Sequence, residues 1–294
     1  MVDYEVHGHV GVLTLNRPEA RNAVNDVVAQ AMTSALEQME ADPEVWVGVL
    51  TANTTGHKSP VFCAGADLKM INSGRAGELA TAKGGFGGFT TFPRTKPIIA
   101  AVDGLATAGG CEIALAADMI VASKHSQFGL AEVKRNLVAA AGGLYRLPKL
   151  IGKNVALEVA LTGEPLTAQR AYELGLVNRL TENGAAFEGA MELANAIAVN
   201  APLAVWESRA LVSLPTGKTK PPSTKTPLLH LVEFFHQRTP PKASLRSSKS
   251  VLRSGRAAKS SALRYRRFRR TVMRRAVRPR RSKRFFDSRA PGSA

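Results

Sequence analysis

From Val10 to Val212, short apolar and β-branched runs alternate with segments whose apolar residues recur at helical spacing; beyond Val212 that alternation stops. Val10–Leu15, Val45–Leu50 and Pro97–Val102 read as strands, the last two as buried ones. Ile120-Val121-Ala122 and Gln127-Phe128-Gly129 read as shorter strands, and Leu176–Leu180 as a further extended stretch. Val24, Val27, Val28, Ala31, Met32, Ala35, Leu36 and Met39 lie on one helical stripe, with Asn22 or Asn25 as its cap. Helices are also expected from Cys111, across Leu144, Leu147 and Leu150, over 167–174 between a Thr167 cap and Gly175, and over 184–212 with a break at Asn200-Ala201-Pro202. The Gly-, Ala- and Thr-rich stretch 73–92 reads as a mobile loop with helical fragments. Strand and helix in alternation predict an α/β fold with right-handed crossovers.

Charge divides at the same point. Residues 213–294 carry 23 Lys and Arg but only two acids, Glu233 and Asp287, whereas residues 1–212 carry 17 bases and 21 acids. A like-charge block of that size, cut by six prolines between 215 and 241, is expected to be disordered. The two cysteines, Cys63 and Cys111, are too few for a disulfide framework and predict a reducing, cytoplasmic setting. They also lack the spacing of a metal site, and no apolar run is long enough to span a membrane.

Two turns carry candidate chemistry. Ala64-Gly65-Ala66-Asp67 and Ala108-Gly109-Gly110-Cys111 each follow a strand and open a helix. Backbone N–H groups at a helix start have no intrahelical acceptor and attract negative charge. Two such turns brought together could hold one carbonyl oxygen, although either alone is better explained as a tight turn. Glu112 lies in the apolar run CEIALAA and Glu132 in FGLAEVKRN. Burial raises a carboxyl pKa, and a pair of such groups can exchange protons with a substrate carbon. Pairing with a core base for Glu112, or exposure beside Lys134 and Arg135 for Glu132, are the bland alternatives.

The blocks LNRPEARNA at 15–23, FCAGADLK at 62–69, AAVDGLATAGGCEIALAADMIVAS at 100–123, FGLAEVKRNLVAAAGGLYRLPKLIG at 128–152 and LTGEPLTAQRAYELGLVNRL at 161–180 occur in order. Together they resemble the crotonase superfamily, enoyl-CoA hydratases in particular. The resemblance implies a fold of repeated β-β-α units with two sheets packed nearly perpendicular. It also implies a CoA thioester substrate, oxyanion-hole N–H groups from Ala66 and Gly109, and Glu112 and Glu132 as paired acid/base carboxylates. Ala64, Asp67, Leu68 and Lys69 would border the acyl-CoA, and Arg17 or Arg21 would meet a CoA phosphate or else a surface carboxylate. No metal or redox cofactor is implied, coenzyme A being part of the substrate.

Retention of both carboxylates favours hydration or dehydration over isomerisation or another CoA reaction of the superfamily. Ala131 stands where relatives commonly have Pro, and Ala140 where Gly is frequent. The domains implied are a core over 1–200, the start of a C-terminal helical segment over 201–212, and the basic tail over 213–294. Relatives cover the pocket and pack a trimer or hexamer with helices that this tail lacks. A shifted reading frame after codon 212 is one account of the tail, and such a chain is expected to assemble poorly and turn over weakly. If the tail is genuine, its cations, interleaved with Tyr265, Phe268, Phe285 and Phe286, suit non-specific nucleic-acid contact, but no recognition motif accompanies them.

Overall fold

A computed structural model describes residues 1–56 and 58–214, so the expectations for residues 215–294 lie outside the described residues. Strand β1 (Val2–His7) turns at Gly8 into β2 (Val10–Leu15) and adds an antiparallel strand ahead of those the sequence predicts. Helix α1 (Asp26–Ala41) follows, capped by the Asn25 side chain, which accepts from Val28 N at 2.9 Å. Its buried stripe is Val28, Ala29, Met32, Ala35, Leu36 and Met39, an i, i+3, i+4 pattern; Val27, expected on that stripe, points to solvent and Ala31 is only half-buried, Ala29 taking the inner position. Val24 is not helical; it makes an isolated parallel bridge with Ala66. Asn22, the other candidate cap, is buried with φ 53°, and its side chain bonds Arg17 N, Asn53 O and Val61 O.

Three units then repeat one plan. β3 (Val47–Ala52), β4 (Val61–Cys63) and α2 (Leu68–Asn72) form the first, and β7 (Ile98–Val102), β8 (Leu105–Thr107) and α3 (Gly109–Ala116) the second. β9 (Met119–Ser123) and β10 (Gln127–Gly129) lead into a 3-10 turn over Glu132–Arg135 in the third. Between the first two, β5 (Ala80–Thr81) and β6 (Gly85–Phe86) pair as a small hairpin. The chain continues through α4 (Gly143–Ile151), α5 (Lys153–Thr162), β11 (Leu166–Thr167), α6 (Ala168–Glu173), β12 (Arg179–Thr181), α7 (Ala186–Ala198) and α8 (Pro202–Val212). Thr167 caps α6 through its side chain, as its position before the helix predicts. No described helix is long and apolar enough to cross a membrane.

The first strand of each unit enters a six-stranded sheet, order β1-β2-β3-β7-β9-β12, parallel except for β1. The second enters a four-stranded sheet, order β11-β10-β8-β4, in which β10, β8 and β4 run parallel. The large sheet is buried on both faces, which explains its near-continuous apolar strands. Leu13, Leu15, Leu50, Ile98, Ala100, Val102, Ile120 and Ala122 face the main core with α1 and α3. The alternate residues Val10, Val12, Val47, Val49, Ile99, Ala101 and Val121 meet Ala186, Ala190 and Ala194 of α7. Asp103, in the turn between β7 and β8, accepts from Gly184 N and Ala186 N and so anchors the start of α7.

The stretch 73–92 differs from the expectation of a mobile loop. Leu79, Phe89, Thr90 and Phe92 are buried there. A Cβ on Gly87 would lie 2.9 Å from Ile113 of α3, and one on Gly88 would run into the Ala29 carbonyl of α1. Small residues let this segment dock closely, so its glycines signal packing rather than freedom.

Candidate active site

Parallel strands end on the same edge of a sheet, so residues following β4, β8 and β10 are brought together by the small sheet itself. Those residues are Ala64-Gly65-Ala66, Ala108-Gly109 and, three positions after β10, Glu132. The two turns touch. Gly65 has φ +89°, and a Cβ there would lie 2.9 Å from Gly109 N and 3.2 Å from Thr107 O. A Cβ on Gly110 would overlap the Cys63 carbonyl, so α3 starts pressed against the end of β4. Ala108, at φ 51° and ψ −130°, donates its N–H to Gly129 O at 2.9 Å, tying this turn to β10. A non-glycine residue held there costs about 1–3 kcal/mol, a strain that clusters at functional sites.

Two N–H groups remain unused in this corner. Val24 bridges Ala66 through Val24 N to Gly65 O (2.7 Å) and Asp67 N to Val24 O (2.8 Å), which leaves Ala66 N facing the other way. Gly109 is the first residue of α3, where an N–H has no intrahelical acceptor. Neither N–H donates to any acceptor among the described residues. A Cβ on Gly109 would lie 2.5 Å from the ring of Phe86, so the hairpin β5–β6 closes over this donor.

The carboxyls arrive from two further directions. Glu112 is one turn into α3 and 2% exposed. Its Oε1 accepts from Ala141 N and Gly143 N, both at 2.8 Å. Burial raises its pKa, and these N–H bonds together with the Arg146 guanidinium oppose the rise. Glu132 opens the 3-10 turn with a buried Oε2 that has no partner among the described residues. Burial pushes its pKa up to about 7, and the Glu112 charge adds to that. The bland readings do not hold: neither carboxyl makes a salt bridge among the described residues, and Lys134 pairs with Glu164 at 2.6 Å instead. Cys63 and Cys111 are free thiols buried behind the two turns; Cys63, pushed up to about 12 by burial, donates to Asn22 O.

The remaining expected residues surround the first turn. Ala64 donates its N–H to Arg21 O at 3.1 Å. The Asp67 carboxylate is committed to the framework: it accepts from Arg17 at 2.7 Å and from Lys69 N at 2.9 Å, capping α2. Arg17 is thereby an ion-pair partner, and its hydrogen bond holds the Asp67 carboxyl below the usual range. Leu68, Lys69 and Arg21 are exposed, and neither Lys69 nor Arg21 makes a salt bridge among the described residues. Phe86, Arg146 and the N–H groups of Ala141 and Gly143 also shape the site without having been singled out by sequence. Of these, only Arg146 leaves a trace, as a cation near the start of an otherwise mostly apolar helix.

The family described as enoyl-CoA hydratase/isomerase matches residues 5–245. A mevalonyl-coenzyme A hydratase of Beauveria bassiana is 41% identical over 213 residues, which are 69% of this chain and 74% of the relative. A carnitinyl-CoA dehydratase of Salmonella typhi is 40% identical over 200 residues, 68% of this chain and 75% of that protein. Among solved structures, a carnitinyl-CoA dehydratase from Mycobacterium avium superposes with a TM-score of 0.68 at 45% identity, covering 74% of this chain and 84% of that one.

Proposed function

This chain belongs to the enoyl-CoA hydratase/isomerase family, and we propose that it is a hydro-lyase that adds water reversibly across the double bond of a 2-enoyl-CoA thioester. The observation that carries the reading is the contact of two turns that leaves the N–H groups of Ala66 and Gly109 unbonded beside a buried carboxyl, Glu112, and a half-buried one, Glu132, in unlike surroundings. Relatives named mevalonyl-coenzyme A hydratase and carnitinyl-CoA dehydratase perform the same class of reaction on CoA thioesters.

The roles follow from the electrostatics. Burial raises the pKa of both carboxyls, but at Glu112 two N–H bonds and a nearby guanidinium offset the rise, whereas Glu132 has an unbonded oxygen and holds its proton up to about pH 7, so Glu112 is assigned the base and Glu132 the acid. Glu112 takes a proton from water as the oxygen bonds to the β-carbon. The electron pair of the double bond moves toward the thioester oxygen, which the N–H groups of Ala66 and Gly109 stabilise. Glu132 then delivers its proton to the α-carbon. Water is thus consumed whole, and proton exchange between the carboxyls and solvent restores the starting state. One such N–H donor is worth about 2.7–4 kcal/mol in the transition state. These groups supply the chemistry without a metal or redox cofactor.

Ala64 and Leu68 border the bound thioester in this reading. Exposed Arg21 and Lys69 contact CoA phosphates, while Asp67 positions the turn through Arg17. Self-association into a trimer or hexamer belongs to the same proposal only for a chain with the C-terminal helices of its relatives; exposed apolar side chains such as Val138 (72%) and Leu161 (70%) support such contacts. A cytoplasmic setting is supported by the two free thiols. Isomerisation is the second reading, disfavoured because both carboxyls are present.

The test is hydration of a panel of 2-enoyl-CoA thioesters by the full chain and by Glu112→Gln and Glu132→Gln. Hydroxyacyl-CoA formation by the parent and its loss in both variants, with thioester binding kept, supports the assignment. Retained hydration in either variant removes that residue from the mechanism.

A further inference from the structure

Arg146 lies one turn into α4, half-buried, and its guanidinium makes two bonds in different directions. Nη1 donates to Ala141 O at 3.0 Å, and Nη2 donates to Thr90 O at 2.5 Å. Thr90 is a buried residue of the 73–92 segment, the same segment that lays Phe86 over Gly109. Ala141 is the residue whose own N–H grips Glu112 Oε1. One side chain therefore ties the cover of the oxyanion turn to the clamp on a carboxyl. The space it occupies is kept by Gly142, at φ +109°, where a Cβ would overlap Nη1. The guanidinium also lies over the Tyr145 ring, 4.8 Å from its centroid, which fixes its plane.

We propose that Arg146 is a positioning residue for the hydration reaction: by bonding the Ala141 and Thr90 carbonyls at once, it holds the Ala141–Gly143 loop in the conformation that aims Glu112. This inference rests on the acid/base role given to Glu112 above. Arg146 is not a catalytic residue, because it acts through the loop and through its field. A planar guanidinium can span two carbonyls in fixed directions, whereas an ammonium supplies the charge without that geometry.

The field has a sign that can be read. Among the described residues, the charged or titratable groups that act on Glu112 or share its surroundings are Arg146 from α4, Glu132 from the 3-10 turn, and the raised Cys111 thiol on its own helix. Arg146 is the positive one of the three and favours the Glu112 carboxylate. Removing it makes Glu112 easier to protonate, so the acid limb of the kcat profile moves to higher pH. A role confined to packing would lower kcat by the same factor at every pH and leave the limb in place.

The experiment compares the full chain with Arg146→Gln and Arg146→Lys in kcat and KM for crotonyl-CoA between pH 5 and 9, with melting curves for each. Arg146→Gln is expected to lose roughly 10- to 100-fold in kcat, to keep KM within about threefold, and to shift the acid limb to higher pH. Arg146→Lys is expected to return the limb to its parental position while recovering only part of kcat. A Gln variant with an unmoved acid limb, or with parental kcat, overturns the proposal. So does failure of both variants to fold, since that assigns Arg146 to the framework alone. Glu112→Gln, assayed alongside, separates the two levels: if it still hydrates crotonyl-CoA, the role of Glu112 itself is wrong, whatever Arg146 does.

Discussion

Gly65→Ala adds one methyl group at the junction on which the proposed oxyanion hole depends. The methyl would sit 2.9 Å from Gly109 N, 3.1 Å from Ala108 Cβ and 3.2 Å from Thr107 O, and two of these neighbours are backbone atoms that cannot swing aside. The turns must separate by several tenths of an ångström, which misplaces Gly109 N relative to Ala66 N. Losing one donor of this kind costs about 2.7–4 kcal/mol, or roughly 10²- to 10³-fold in kcat. The backbone adds its own cost, because φ +89° is a left-handed conformation that charges an alanine about 1–2 kcal/mol. Gly74→Ala is the matched control: φ is +75°, and nothing lies within 4 Å of its added methyl. Both variants should lose stability in urea titrations, Gly65→Ala the more because of its added clash, but only Gly65→Ala should lose hydration of crotonyl-CoA, followed by loss of the enoyl thioester absorbance. A folded Gly65→Ala chain with kcat within about threefold of the parent would refute the reasoning.

Further outcomes follow from the same geometry. The kcat profile should be bell-shaped, with its basic limb near pH 7 where Glu132 gives up its proton; a profile flat from pH 6 to 9 would exclude Glu132 as the proton donor. Glu132 also links stability to pH. Its folded pKa is raised from 4.5 to about 7, so the folded chain holds the proton more tightly, and stability falls as pH rises through that window. The ceiling is about 3.4 kcal/mol at 1.36 kcal/mol per pH unit, reduced by solvent screening at this half-buried group to about 1–2 kcal/mol. Glu132→Gln should therefore match the parent near pH 4.5 and exceed it by that amount at pH 8.5 in urea midpoints; a variant weaker at both would contradict this. Met32→Ala, in the fully buried stripe of α1, should cost about 2–5 kcal/mol without changing KM, and a loss below about 1 kcal/mol would deny that stripe its place in the core.

Period and composition made much of this molecule legible before its structure. The α1 stripe and the apolar runs of β2, β3 and β7 announce their elements, and the residues after β4, β8 and β10 announce the site through the blocks shared with a family. Strand β1 carries a readable alternation of Val2, Tyr4 and Val6 with Asp3, Glu5 and His7, yet its acids and its place at the sheet edge make it resemble a polar terminus. The stretch 73–92 misleads for a physical reason: glycine is used there for close approach to α1 and α3, and composition does not distinguish that from freedom. The Glu112 clamp is invisible in sequence because its donors are backbone N–H groups about thirty residues away. Arg146 shows only as a cation in an apolar block, since its two acceptors are carbonyls, which every residue has.

The central claim is that Ala66 N and Gly109 N bond one thioester oxygen. A Raman difference spectrum of a 2-enoyl-CoA bound to Glu132→Gln, with the thioester carbonyl isotopically labelled, reads that contact directly. The account predicts a bound carbonyl stretch displaced to lower frequency than in water, with the displacement diminished when Gly65→Ala is added. A carbonyl frequency equal to that of the free thioester in water would contradict it.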